Sequence, residues 1–66
     1  MEVLVNGEPR RIAADATVAD LVAALELGDR RIAVEVNEEL VPRGEMAGHR
    51  LASGDRVEIV RAIGGG

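Results

Sequence analysis

The sequence predicts an α+β fold, a mixed sheet of four to five strands curled around one α-helix and followed by a flexible glycine tail. Three observations predict it. Apolar residues alternate near both ends of the chain, at Val3 and Val5 and again at Val57 and Ile59. One helical repeat lies between them, with Val18, Leu21, Val22 and Leu25 at i, i+3, i+4 and i+7. The last three of the 66 residues are glycine.

The elements follow in order. Val3 and Val5 share one face of a first strand, and Glu2 and Leu4 share the other. Asn6-Gly7 makes a tight hairpin turn, because both central positions of such a turn want positive φ. Pro9 suits the start of an edge strand, where its missing N–H is harmless. That strand is expected over Arg10 to Ala13, with Ile12 inward. Thr17 is a good N-cap for the helix, and Asp20 completes a variant of the capping box. Ala19, Ala23 and Ala24 add helix propensity, and Gly28, just past Leu27, is the expected left-handed stop. Ile32, Val34 and Val36 alternate with Ala33 and Glu35 as a half-buried strand. Asn37-Glu38 turns the chain into a short strand, Leu40-Val41, stopped by Pro42. Arg43 to Arg50 holds two glycines and no period, and reads as a turn or a single helical turn around Met46. Leu51 drops into the core, and Ser53-Gly54-Asp55 turns the chain again. The last strand puts Val57, Ile59 and Ile63 on one face and Glu58, Val60 and Ala62 on the other.

A hairpin followed by one helix cannot bury the helix's apolar face unless the sheet curls around it. The simplest closure sets the final strand parallel to the first, between the hairpin and the third strand. Val3, Val5, Ile32, Val34, Val57 and Ile59 then face the helix. Residues 1–66 are expected to form one domain, with residues 63–66 as its flexible tail.

Composition excludes several functions. The chain has no Cys, Phe, Trp or Tyr, and all eight basic residues are Arg. Without Cys there is no disulfide framework, no thiolate nucleophile and no thiolate metal site. A small secreted domain usually carries such staples, so a reducing cytoplasm is the expected location. Without aromatic residues there is no base-stacking platform, and a net charge of −4 opposes phosphate-backbone binding. No nucleic-acid partner is expected. The absence of Lys removes Schiff-base chemistry. Met1-Glu2-Val3 lacks the basic start of a signal peptide, and the longest uncharged apolar run, Leu21 to Leu25, is far short of a membrane span. No membrane association is expected.

The usual catalytic sets are missing. His49 is the only His and Ser53 the only Ser, and both fall in expected loops. Glu38 and Glu39 are adjacent turn residues whose side chains point apart. No catalytic residue and no metal-ligand set is expected. The tail is different. Gly64, Gly65 and Gly66 leave the last carboxylate free of side chains and make the tail thin enough for a narrow channel in a partner. A terminal carboxylate, with its ordinary pKa of ~3.3–3.7, is ionised at neutral pH and can attack phosphorus. Attack on the α-phosphate of ATP gives an acyl adenylate. Ordering the tail costs ~1–2 kcal/mol of backbone entropy per residue, and more for Gly. Contact with the folded body should therefore be part of binding.

The early Asn6-Gly7 turn, the stretch Val36-Asn37-Glu38-Glu39-Leu40-Val41-Pro42-Arg43, the stretch Gly54-Asp55-Arg56-Val57-Glu58-Ile59-Val60 and the terminal Gly64-Gly65-Gly66 together carry a family resemblance. Over its whole length the chain resembles the ThiS sulfur carriers of thiamine biosynthesis, which have the ubiquitin-like β-grasp fold. The resemblance implies a protein cosubstrate and not an enzyme. The Gly66 carboxylate would be adenylated by a ThiF-type enzyme, with ATP and magnesium supplied there and no cofactor bound by the carrier. A sulfurtransferase or cysteine desulfurase system would convert the adenylate to a thiocarboxylate. That group would donate sulfur to a ThiG-type thiazole synthase. Gly66 would bear the sulfur, Gly65 matches the family's terminal pair, and Gly64 matches a position often occupied by Gly. Some relatives carry an aromatic residue after the Pro-Arg pair; here Met46 can fill that gap, as a flexible apolar side chain does. The free carrier is expected to be a monomer.

The same residues are compatible with other readings. A carrier resembling the molybdopterin synthase small subunit would share the fold and tail, although such proteins are usually longer and tend to carry aromatic residues. A ubiquitin-like modifier would join Gly66 to lysines of other proteins. A plain interaction module would not need its tail. In each case the outward sheet face is the candidate docking patch, with Leu4, Ala33, Val60 and nearby Ala62 as its apolar part. Arg61 and Arg56 are placed to meet acidic groups of a partner near the tail. Single exposed apolar residues are also normal on any surface.

Overall fold

The computed structural model of the chain describes residues 1–27 and 31–61. Gly28 and the tail residues 62–66 lie outside the described residues. The elements are β1 (Glu2–Val5), β2 (Glu8–Arg11), α1 (Val18–Ala24), β3 (Ile32–Val36), β4 (Glu39–Val41), a 3₁₀ helix (Arg43–Gly48) and β5 (Arg56–Arg61). The strands form one sheet in the order β2-β1-β5-β3-β4. β5 lies parallel to β1 and antiparallel to β3, as the closure argument requires. With α1 on its inner face this is the ubiquitin-like β-grasp fold.

Two tight hairpins set the registers. Asn6 and Gly7 both have positive φ, 51° and 86°, and the turn closes directly onto the pair Val5 and Glu8. Asn37 and Glu38 repeat the device at 52° and 72°, closing onto Val36 and Glu39. The first hairpin corrects the expected start of the second strand. A two-residue turn leaves no slack before pairing begins, so β2 starts at Glu8, two residues early, and Pro9 sits inside it opposite Leu4. β2 is an edge strand, where proline is tolerated. Ile12 follows the strand and packs on the core. It also exchanges two hydrogen bonds with Met1, whose amino group donates to its carbonyl at 2.7 Å and whose carbonyl accepts its N–H at 2.8 Å.

The start of α1 follows the sequence reading. The Asp20 N–H donates to Thr17 Oγ1 at 3.1 Å, and the Thr17 N–H donates to Asp20 Oδ2 at 2.9 Å, a reciprocal capping box. Its end does not wait for Gly28. The helix stops at Ala24, and Glu26 takes the left-handed conformation with φ 59°. The Glu26 N–H donates to the Ala23 carbonyl at 3.1 Å, and the Leu27 N–H reaches the Val22 carbonyl at 3.2 Å. These are the two bonds of a Schellman motif. The hydrophobic contact that accompanies the motif explains the early stop, because turning at Glu26 brings Leu27 back against the core.

Val3, Val18, Leu21, Val34 and Val57 are the largest fully buried side chains, so the core runs between the middle of the sheet and α1. Leu51 closes the end beside the start of α1, and Met46 from the 3₁₀ helix lies alongside Ala19 and Val22 of that helix. The loop before α1 is tied to the segment before β5: the Val18 N–H donates to the His49 carbonyl at 2.9 Å and the Leu51 N–H to the Ala16 carbonyl at 3.0 Å. A helix of seven residues is only about 10 Å long. It leaves Val5, Ile32 and Ile59 partly covered at the other end of the inner face.

Candidate functional site: the root of the tail and the outward sheet face

β5 is the strand that leads to the glycines, and it is held on both sides. Along one edge it pairs with β3 over five of its six residues, from Val57 opposite Val36 to Arg61 opposite Ile32. Along the other it pairs with β1 only at Arg56 and Val57. Asn6 extends that second edge with its side chain: the Ile59 N–H donates to Asn6 Oδ1 at 2.8 Å, and Asn6 Nδ2 donates to the Ile59 carbonyl at 3.2 Å.

Asn37 secures the beginning of the strand in the same manner. Its N–H donates to the Arg56 carbonyl at 2.8 Å, and the Arg56 N–H donates to Asn37 Oδ1 at 3.0 Å. Asn37 Nδ2 donates to Asp55 Oδ1 at 3.0 Å, and Asp55 Oδ2 accepts the Ala52 N–H at 2.8 Å. The sequence marks both asparagines as turn formers, and these bonds to β5 go beyond that role. The available signal was topological, since both turns border β5 in the strand order.

The sequence-predicted docking residues divide between two faces. Ala33 and Val60 are brought directly opposite one another on the outward face. Leu4 is on that face too, but it lies opposite Arg56, four residues before Val60 along β5. At ~3.3 Å per residue that is about 13 Å away, with Glu58 between. Arg61 has the parity of Val57 and Ile59. It lines a groove on the inner face with Val5, Leu25, Leu27, Ile32 and Ile59. Ala62, Gly64, Gly65 and Gly66 lie outside the described residues. Leu40, not singled out from the sequence, is 65% exposed, and Val60 is 59% exposed. The signal for Leu40 was its place in the alternation, next to buried Val41 on a strand that turns out to be an edge.

The remaining polar candidates have structural places. The His49 carbonyl caps the entry to α1, Ser53 is in a turn, and Glu38 is the second residue of a hairpin turn. Among the described residues no group of three or more His, Cys, Asp and Glu side chains is arranged to hold a metal ion. No helix among them is long and apolar enough to cross a membrane.

The family profile of ThiS matches residues 3–66. The chain belongs to the ThiS family. It is 32% identical to the sulfur carrier protein ThiS of Escherichia coli, with all of both chains covered. The crystal structure of a thiamine biosynthesis protein, ThiS, from Geobacter metallireducens superposes with a TM-score of 0.86 at 32% identity, again over all of both chains. A thiazole synthase of Paramagnetospirillum magneticum is 42% identical over 66 residues. This ThiS-family chain spans only 20% of the length of that synthase and of a second one, from Magnetococcus marinus.

Proposed function

We propose that this ThiS-family chain is a sulfur carrier for thiazole formation in thiamine biosynthesis, acting as a protein cosubstrate in the cytoplasm. One observation carries the reading: the likeness to a sulfur carrier protein ThiS runs the full length of both chains. In the first step a carboxylate oxygen of Gly66 attacks the α-phosphorus of ATP, with magnesium, in a ThiF-type enzyme. Pyrophosphate leaves and an acyl adenylate forms. A persulfide delivered by a sulfurtransferase or cysteine desulfurase system then displaces AMP to give an acyl disulfide, and a thiol reductant cleaves its S–S bond to leave the terminus as a thiocarboxylate. The thiocarboxylate gives its sulfur to the substrate of a ThiG-type thiazole synthase and, taking an oxygen from that substrate or from water in exchange, returns as a carboxylate. Similarity to a stretch of two thiazole synthases supports that last partner.

The folded body's part is mechanical. β5, bracketed by β3 and by Asn6, gives residues 62–66, which follow it in sequence, a firmly held point of attachment. Gly64, Gly65 and Gly66 enter the partner's site, where a side chain would crowd attack at the terminal carbonyl. The outward face around Ala33 and Val60 supplies the docking contact that offsets the ordering of the tail.

The test is intact-mass measurement after incubation with a ThiF-type enzyme, ATP, magnesium and a sulfur source. A gain matching replacement of one oxygen by sulfur is expected. If neither adenylate nor thiocarboxylate forms, the reading fails.

A further inference from the structure

The outward face of β3, β4 and β5 is not uniformly apolar. The register sets Glu35 directly opposite Glu58, and Leu40 directly opposite Glu35 on its other side. Two residues along, Ala33 faces Val60. Directly opposed side chains on one face have their Cβ atoms about 5 Å apart, and like charges so placed destabilise a sheet. Among the described residues neither carboxylate has a hydrogen bond or ion pair. The one basic side chain nearby on this face of β5 is Arg56, opposite Leu4. Two exposed aliphatic residues, Leu40 and Val60, therefore flank two unneutralised carboxylates.

We propose that this face docks a protein surface presenting one arginine or lysine between aliphatic side chains. The cation sits between Glu35 and Glu58, and the aliphatic groups cover Leu40 on one side and Val60 with Ala33 on the other. Charge complementarity selects this occupant. A second copy of the chain would set its own carboxylate pair against this one, and a nucleic acid would meet carboxylates with phosphates. A net charge of −4 adds long-range attraction for a cationic partner. The proposal deepens the docking role given above and rests on the sulfur-carrier reading for the choice of partners.

The experiment titrates a ThiF-type enzyme and a ThiG-type synthase with the full chain by calorimetry at 0.05 and 0.3 M salt, values chosen to bracket strong and weak screening. It compares the parent with Glu35→Gln/Glu58→Gln and with Leu40→Ser/Val60→Ser, and follows thiocarboxylate formation in parallel. The double Gln variant should bind at least one enzyme about tenfold more weakly at low salt, with a flattened salt dependence and an unfolding midpoint no lower than the parent's. The double Ser variant should bind more weakly at both salt concentrations. Double Gln binding within twofold of the parent, with the parent's salt dependence, overturns the proposal even if thiocarboxylate forms normally. A parent that binds these enzymes but gains no sulfur overturns the carrier reading alone, and the Gln comparison still decides the docking surface. A parent that neither binds nor gains sulfur overturns both.

Discussion

The side-chain amide of Asn6 brackets the backbone of Ile59, 53 residues away, accepting its N–H at 2.8 Å and donating to its carbonyl at 3.2 Å. β1 turns away at Asn6, so its main chain cannot continue the ladder along β5. The amide carries the same donor and acceptor one step further. The left-handed φ of 51° that forms the hairpin is also what leaves this side chain beside β5.

Asn6→Gly removes the amide and keeps the left-handed backbone, which asparagine adopts at less cost than other residues with a Cβ, so little relief of backbone strain offsets the loss. Two hydrogen bonds at ~0.5–1.5 kcal/mol each set the scale, and their exposure favours the lower part of it. A loss of about 1–2 kcal/mol is expected in urea unfolding. Asn6→Asp keeps the acceptor and loses the donor, and should fall between the parent and Asn6→Gly. An Asn6→Gly variant as stable as the parent would show that water replaces the amide without cost.

The middle of this fold is legible in the sequence, and the reasons are local. Alternation of Val3 and Val5, and of Ile32, Val34 and Val36, marks the strands because period two is what a half-buried sheet needs. Thr17 and Asp20 mark the helix start because the capping box is built within four residues. What the sequence hides depends on distant partners. The stop at Glu26 depends on Leu27 finding the core, and the roles of Asn6 and Asn37 depend on β5 lying beside them. The opposition of Glu35 and Glu58 is a matter of register, which no single strand states. Of the candidate site, Ala33 and Val60 could be placed on one face by parity alone, whereas the distance of Leu4 from them required the parallel pairing of β1 with β5.

Glu26 and Glu38 hold left-handed conformations, φ 59° and 72°, that residues with a Cβ adopt at a cost of about 1–2 kcal/mol. Glycine relieves that cost and gives part of it back as unfolded-state entropy. Glu26→Gly and Glu38→Gly should each stabilise the chain by about 0.5–1 kcal/mol, raising the urea midpoint with no change in slope. Glu38→Gly also leaves a tighter fit to the Asn-Gly preference of two-residue hairpins. A lowered midpoint for either variant would refute this.

Leu21 is among the largest fully buried side chains and lies between α1 and the sheet. Leu21→Ala should cost ~2–5 kcal/mol. In a domain this small that is a large share of the total stability. The expected outcome is a chain partly unfolded at 37 °C by circular dichroism, recovering on cooling. Leu21→Met, which nearly conserves volume, should cost under ~1.5 kcal/mol and keeps the position testable if the alanine variant does not fold.

On the proposed sulfur-carrier function, removal of Gly66 should separate chemistry from folding. The core cluster ends with Val57, and Ile59 packs against it from the same strand. The bonds that fix β5 reach Ile59 through Asn6 and Arg61 through β3. None of these involves the last residue, so the truncated chain should unfold within about 0.5 kcal/mol of the parent, the range of a neutral surface change. Its new terminus is one residue short, ~3.3–3.6 Å of reach. A misplacement of that size in a reaction between bound groups costs orders of magnitude in rate. Intact mass after incubation with the ThiF-type enzyme, ATP and a sulfur source should therefore show no gain of sulfur. Unfolding of the truncated chain would assign Gly66 a structural role, and a normal sulfur gain would remove it from the chemistry.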